Sequence, residues 1–340
     1  MSVRFALAAS TLGVCLVAVA SVAQAAEKRL DRTFSVASGG RLTIDSDGTD
    51  LRVEGTGGNQ VVVHIILEGS ERSLERMTLS AEQNGNDVAV AAKHGSGKWT
   101  DWFGGWNLGG KIEVLVPRDY NIDIRTSGGD IKVVQLNGNA RGRTSGGDIQ
   151  IAEVRGPVDM QTSGGDVRVE QVEGSTRLGT SGGDIEILRL KGDLDAKTSG
   201  GYIHLDEVDG QVVARTSSGN VIARGVRGDS DLKTSGGDIR ATIDGKIAAH
   251  TSGGDVTAEL VGANRGISVS SSGGDLTVKV PKDTKGELNA ATSGGSVRTE
   301  LPVTTTQMSE HRLTGTLNGG GNPIQARTSG GSIKVVAAAN

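Results

Sequence analysis

The sequence predicts an all-β fold, a parallel β-solenoid or β-helix of 18-residue coils, and three observations carry that expectation. A Thr-Ser-Gly-Gly-Asp core returns at a fixed interval, apolar residues alternate after each copy, and a Gly marks a second corner in every interval. Counted from the Thr, cores begin at Thr126, Thr144, Thr162, Thr180, Thr198, Thr216 and Thr234, six successive steps of 18. Later copies at Thr251, Ser271, Thr292 and Thr328 drift, and the last interval holds an insertion. Thr198 opens TSGGY and Thr216 opens TSSGN, so no single Asp is indispensable to the bend.

The apolar pairs that follow each core, Ile131 and Val133, Ile149 and Ile151, Val167 and Val169, Ile185 and Ile187, have the period of two that marks a strand. A third apolar position (Leu136, Val154, Val172, Leu190) precedes the second-corner Gly at Gly138, Gly156, Gly174 and Gly192. The return stretch alternates again through Val158, Met160 and Thr162, which turns the Thr inward. No unit this short buries its apolar side alone, so each coil lies on the next in parallel ladders about 4.8 Å apart. Right-handed coiling is expected from the handedness of parallel crossovers. Gly128, Gly129, Gly146, Gly147, Gly164, Gly165, Gly182 and Gly183 are then turn residues, expected to supply positive φ where stacked corners leave little room for Cβ atoms.

Three segments follow. Residues 1–25 read as a signal peptide, with Arg4, an apolar run from Phe5 to about Ala20, and Ala23-Gln24-Ala25 as the cleavage site. Residues 26–125 form a less regular β-rich lead-in and cap, and residues 126–340 the solenoid of TSGGD-type coils. Within the cap, 38–55 looks like two degenerate rungs, and 79–93 like two strands around an Asn-Gly turn, a hairpin that would shield an open coil end. The chain's one cysteine, Cys15, lies in the signal. The bulky Val14 before it argues against lipoprotein processing, so the mature chain has no disulfide and no Cys-based metal site.

Without Arg4, the 36 Lys and Arg fall by one against 40 Asp and Glu, a near-neutral balance without long charge blocks that disfavours nucleic acid. No second apolar run has the length of a membrane span. The expected location is therefore the periplasm or the cell surface.

The element from Phe34 to Leu42, the stretch VLVPRDYNIDIRTSGGDI, the tandem S-G-G-D-[IV] coils and the closing LTGTLNGGGNPIQARTSGGSIKV together resemble the bacterial "putative adhesin" family of β-helical domains of unknown function. The resemblance spans nearly the whole mature chain. It implies a β-helical fold; its motifs are structural and assign no ligand, cofactor or reaction.

No GxSxG, HExxH or phosphate-loop pattern is present, and His64, His94, His204, His250 and His311 share no metal-ligand spacing. Asp130, Asp148, Asp166 and Asp184 form an outward column. Its first reading is that each carboxylate caps amides of its own turn, and its second is a calcium ladder. Arg227-Gly228-Asp229 is a tripeptide that some receptors read, but its Gly already serves as a corner. The Thr column faces the core, which disfavours ice binding. KWTDWFGGWN at 98–107 concentrates Trp99, Trp102, Phe103 and Trp106, either a flap over apolar rungs or a candidate binding patch.

The expected function is a secreted, non-enzymatic structural or adhesive module of the cell envelope, without cofactor, contacting an envelope or surface protein or glycan. The alternatives are a β-helical polysaccharide lyase or hydrolase, for which a cleft of convergent Asp, Arg and Lys with one long insertion over it would speak, and a periplasmic scaffold in envelope sensing.

Overall fold

The computed structural model describes residues 26–95 and 109–338. Each regular coil lays down a seven-residue strand such as Ile149–Arg155, turns at Gly156, lays down a four-residue strand such as Val158–Gln161, and turns back through the Thr-Ser-Gly-Gly corner. Long strands stack in register into one sheet, Ile149 between Ile131 and Val167, and short strands into a second, Val158 between Ala140 and Thr176. The ladders are parallel, and the core fills the space between the sheets. Ile131, Ile149, Val167, Ile185, Ile203, Val221 and Ile239 make one continuous inward column, none more than 1 % exposed. Facing volumes are matched locally. A Cβ on Gly142 would come within 2.6 Å of the Met160 sulfur in the next coil, so the large side chain uses the space the small one leaves.

The corners are held by two hydrogen-bonded columns. At the corners from Thr144 to Thr251 the buried Thr hydroxyl donates to a glycine carbonyl of the preceding coil, as Thr162 Oγ1 does to Gly147 O at 2.8 Å, and accepts the amide three residues on, as from Gly165 N at 3.4 Å. Here the expected role of Gly-Gly is corrected. Neither glycine of the regular pairs has a left-handed φ; that conformation occurs at the second corner, at Gly156 (φ 138°) and Gly192 (φ 139°). What the pair needs is closeness. A Cβ on Gly147 would lie 2.1 Å from Gly129 O, whereas one on Gly146 would sit 3.6 Å from the nearest atom. The first glycine can therefore be replaced, and Ser218 replaces it in one coil.

The ends are less regular. The two degenerate rungs expected at 38–55 are the two halves of one coil. Arg41–Ser46 stacks on Asn121–Thr126 in the short-strand sheet, and Asp50–Thr56 on Ile131–Asn137 in the long-strand sheet. The hairpin Met77–Asn84 and Asp87–His94 pairs antiparallel and joins the short-strand sheet through Arg41–Ser46. Gly109–Pro117, Gln60–Gly69 and Ala26–Ser35 extend the long-strand sheet. Tyr120, fully buried, ties this cap to the solenoid by donating its hydroxyl to Asn86 O.

At the other end the chain order is interrupted. Pro323–Arg327 lies between Ile267–Ser270 and Gly286–Ala291, and Ile333–Ala337 lies between Leu276–Val280 and Val297–Thr299. The last coil in sequence is thus inside the stack, with the preceding coil outside it. The insertion in the final interval is a hairpin, Val303–Ser309 with Arg312–Leu317, at the end of the short-strand sheet.

Candidate functional site: a lateral polar groove

Inward positions in the long strands fall at Ile149, Ile151 and Val154, so two consecutive residues, Ala152 and Glu153, stand outside the core. The backbone accommodates the extra residue with a left-handed bend at Glu153 (φ 54°). The bend recurs at Gln135, Gln171, Arg189 and Glu207, with φ between 54° and 60°, and at Gly225 (φ 62°). For an L-residue this conformation costs about 1–2 kcal/mol. Glycine adopts it freely, yet five of the six bends carry a long polar side chain.

Between this column and the one two residues on (Asn137, Arg155, Glu173, Lys191, Asp209, Arg227) runs a groove of about 430 Å³, floored at Val172 and Leu190. It follows the stacking direction from Arg118 to Arg227. Beyond it the ladder shifts register between Ala223 and Val226 against the six-residue strand Ile239–Asp244, and the bend disappears. Toward the cap, a Cβ on Gly55 would collide with Gln135 O at 1.9 Å, so the neighbouring coil is pressed against the first bend.

The lining is charged on both signs, with Arg118, Arg155, Arg189, Lys191 and Arg227 against Glu153, Glu173, Glu207 and Asp209. Gln135 donates to Glu153 at 3.0 Å, and Lys191 and Arg155 reach Glu173 at 3.2 and 3.6 Å. Arg227 grips Asp209 through two guanidinium nitrogens, one at 2.7 Å, and holds its carboxyl below the usual range. Side chains such as Arg155 and Lys191 are more than two-thirds exposed. The groove thus offers rows of hydrogen-bond donors and acceptors at about one-rung spacing, nearly balanced in charge.

The sequence-derived candidates fall elsewhere. Asp130, Asp148, Asp166 and Asp184 do form an outward column, but each caps the next coil rather than its own turn. Asp130 Oδ1 accepts Asp148 N, Asp148 Oδ1 accepts Asp166 N, and Asp166 Oδ1 accepts Asp184 N, each at 2.8 Å. Among the described residues, no group of three or more His, Cys, Asp and Glu is gathered closely enough for a metal ion. Arg227-Gly228-Asp229 is absorbed by the second corner and by the Asp209 pair. Trp99, Trp102, Phe103 and Trp106 lie outside the described residues, as does the segment read as a signal peptide. Sequence reasoning missed the groove, although the uneven spacing of inward residues, two and then three, was a readable trace of the bend.

The family model described as Toastrack DUF4097 matches residues 40–241 and again 211–336. No curated protein matches the chain at a significant level. Among solved structures, a "putative adhesin" from Parabacteroides distasonis is similar at 14 % identity and a TM-score of 0.45, covering 74 % of this chain and 97 % of that one. A "putative cell adhesion protein" from Clostridium sporogenes shares 12 % identity over 92 % of this chain and 100 % of that one, with a TM-score of 0.22. A "putative lipid binding protein" from Parabacteroides distasonis shares 13 % identity over 92 % and 97 %, with a TM-score of 0.31. At these values the likenesses carry no argument about function.

Proposed function

Because the chain belongs to the Toastrack DUF4097 family, whose description assigns no activity, we propose from its own geometry that it is a non-enzymatic adhesive module of the bacterial cell envelope. It binds an extended polar partner, a surface glycan or protein segment, along the lateral groove. The observation that carries the reading is the column of Gln135, Glu153, Gln171, Arg189 and Glu207. These side chains are retained at a backbone conformation that Gly225 shows glycine can fill. Function resting on exposed polar side chains accounts for that retention. The groove does bring Asp, Arg and Lys together, but no long insertion covers it among the described residues, and two of its four carboxylates, Glu173 and Asp209, are engaged by side-chain cations, an arrangement suited to holding a partner rather than to moving protons. Export by the N-terminal segment places the module outside the cytoplasm in this reading.

The test is a binding panel of envelope polysaccharides, cell-wall fragments and whole cells, run with the parent and with a Glu153→Gly, Gln171→Gly, Arg189→Gly variant. The triple variant removes the middle of the groove wall while leaving the bend in place. Binding by the parent that falls at least tenfold in the variant supports the reading. Equal binding by both moves the site elsewhere, and release of cleavage products from a bound polysaccharide replaces adhesion with catalysis.

A further inference from the structure

The short-strand sheet ends at Val303–Ser309, whose outer edge meets no strand among the described residues. A free strand edge exposes unpaired N–H and C=O groups, and proteins usually blunt it with charge, shortness, proline or a bulge. The other sheet ends show such devices. Ala26–Ser35 carries Glu27, Lys28, Arg29, Asp31 and Arg32, Met77–Asn84 carries Glu82, and Val297–Thr299 is three residues long. Val303–Ser309 is seven residues, VTTTQMS, without a charge, and all but Val303 are exposed. Its one blunting device is a bulge between Thr305 and Gln307, on the side of Arg312–Leu317, which leaves the outer edge long and uncharged.

That inner pairing fixes which way the side chains point, because residues directly opposite each other share a face. Val303 stands opposite Leu317 and Met308 opposite Leu313, and both leucines are buried, so Val303 and Met308 belong to the core-facing side. Met308 is nevertheless 72 % exposed. The facing sheet ends in the short strand Val297–Thr299, and the thioether stays uncovered.

We propose that Val303–Ser309 pairs antiparallel with the same strand of a second copy, joining two solenoids end to end about a two-fold axis between Thr305 and Thr306. This register sets Val303 against Met308 and Thr304 against Gln307, and it keeps each of these residues on the face it already occupies. Two Val–Met contacts then cover the exposed thioethers on one face, and Thr–Gln contacts form on the other. Self-pairing fits this edge better than a foreign strand does. The segment has no charge with which to select a charged partner, its reversed sequence matches its own faces, and no like charges meet across the axis. A single strand pair buries less than the roughly 1,000 Å² of a stable interface, so the association is weak and depends on concentration.

Sedimentation velocity on the full chain over a hundredfold concentration range should show a monomer passing to a dimer. Thr305→Lys places two ammonium groups beside the axis and should weaken self-association at least tenfold, with the melting temperature unchanged. A second experiment reads the register. In a Cys15→Ser chain, Val303→Cys with Met308→Cys should oxidise to a covalent dimer, and either cysteine alone should not. The two positions lie about 16 Å apart along one strand, beyond the roughly 7 Å reach of an intrachain disulfide. A monomer at every concentration overturns the proposal. So does a dimer indifferent to Thr305→Lys, cross-linking by a single cysteine at the level of the pair, or association only with a different protein.

Discussion

Two neighbouring glycines carry opposite constraints, and the difference is measurable. An alanine at position 147 would drive its Cβ to 2.1 Å from Gly129 O, a backbone atom that cannot yield without opening the ladder. We expect Gly147→Ala to cost about 3 kcal/mol, the upper range of overpacking. Gly146→Ala, where the nearest atom is at 3.6 Å, should stay within about 1 kcal/mol. Chemical denaturation of the two variants checks the contrast, and equal losses would mean that backbone conformation rather than closeness sets the motif. Tyr120 gives a residue-scale pH dependence. Burial, with Asp87 adding to it, pushes its hydroxyl up to about 12, against about 10 in an unfolded chain. The neutral phenol is the form the fold accepts, so its contribution is complete below about pH 10 and is lost as pH rises through about 12. Tyr120→Phe should cost about 1 kcal/mol at neutral pH, from the lost bond to Asn86 O. Across pH 10–12 the gap to the parent should narrow.

At the scale of the strand, the sequence showed the ladders but not the bend. Period-two alternation and an 18-residue step fix which residues face inward, and Ile131 through Ile239 stack as that pattern requires. Gln, Glu and Arg have no left-handed signature, so the column at Gln135 to Glu207 could not be recognised by residue type; only Gly225 hints at it. This separates groove from fold. Glycine at positions 153, 171 and 189 relieves about 1–2 kcal/mol each of left-handed strain, against about 0.5–1 of added backbone entropy and weak exposed ion pairs. The triple glycine variant should therefore melt within a few degrees of the parent. A large loss of stability would show that these side chains hold the coils together. The Asp column supports a similar argument. Asn220 accepts Asp238 N at 2.8 Å, as its Asp neighbours do for their own followers, so the cap needs an oxygen and not a charge. Asp148→Asn, Asp166→Asn and Asp184→Asn together should leave the melting temperature unchanged or slightly raised as like charges are removed. Millimolar calcium should shift the parent little, because the Oδ1 atoms are already engaged. A large calcium-dependent rise that the Asn variant loses would assign the column to a bound cation.

Over the whole molecule, coils of the same kind are interchangeable as far as a sequence pattern goes. The pattern therefore announced an insertion after Thr292 but not the order in which the last coils stack. In an ordinary solenoid each coil contacts only its sequence neighbours, and removing the terminal one frays a single interface. Here the terminal coil is internal, because Pro323–Arg327 and Ile333–Ala337 each stand between two earlier strands. Among the described residues, Gly286–Ala291 pairs in parallel only with this late-arriving coil, and its other strand partner, Arg312–Leu317, is antiparallel. The end of the rod is thus closed only when the last residues arrive. A chain ending at Asn322 should lose hydrogen-exchange protection across Gly286–Ala291 and the Val303–Leu317 hairpin together, while the coils up to Lys233 keep theirs. If Leu288 and Ala290 remain protected, the outer coil has moved inward to dock directly on Ile267–Ser270. The stacking order would then be one of two packings available to the end of the rod, rather than a lock on it.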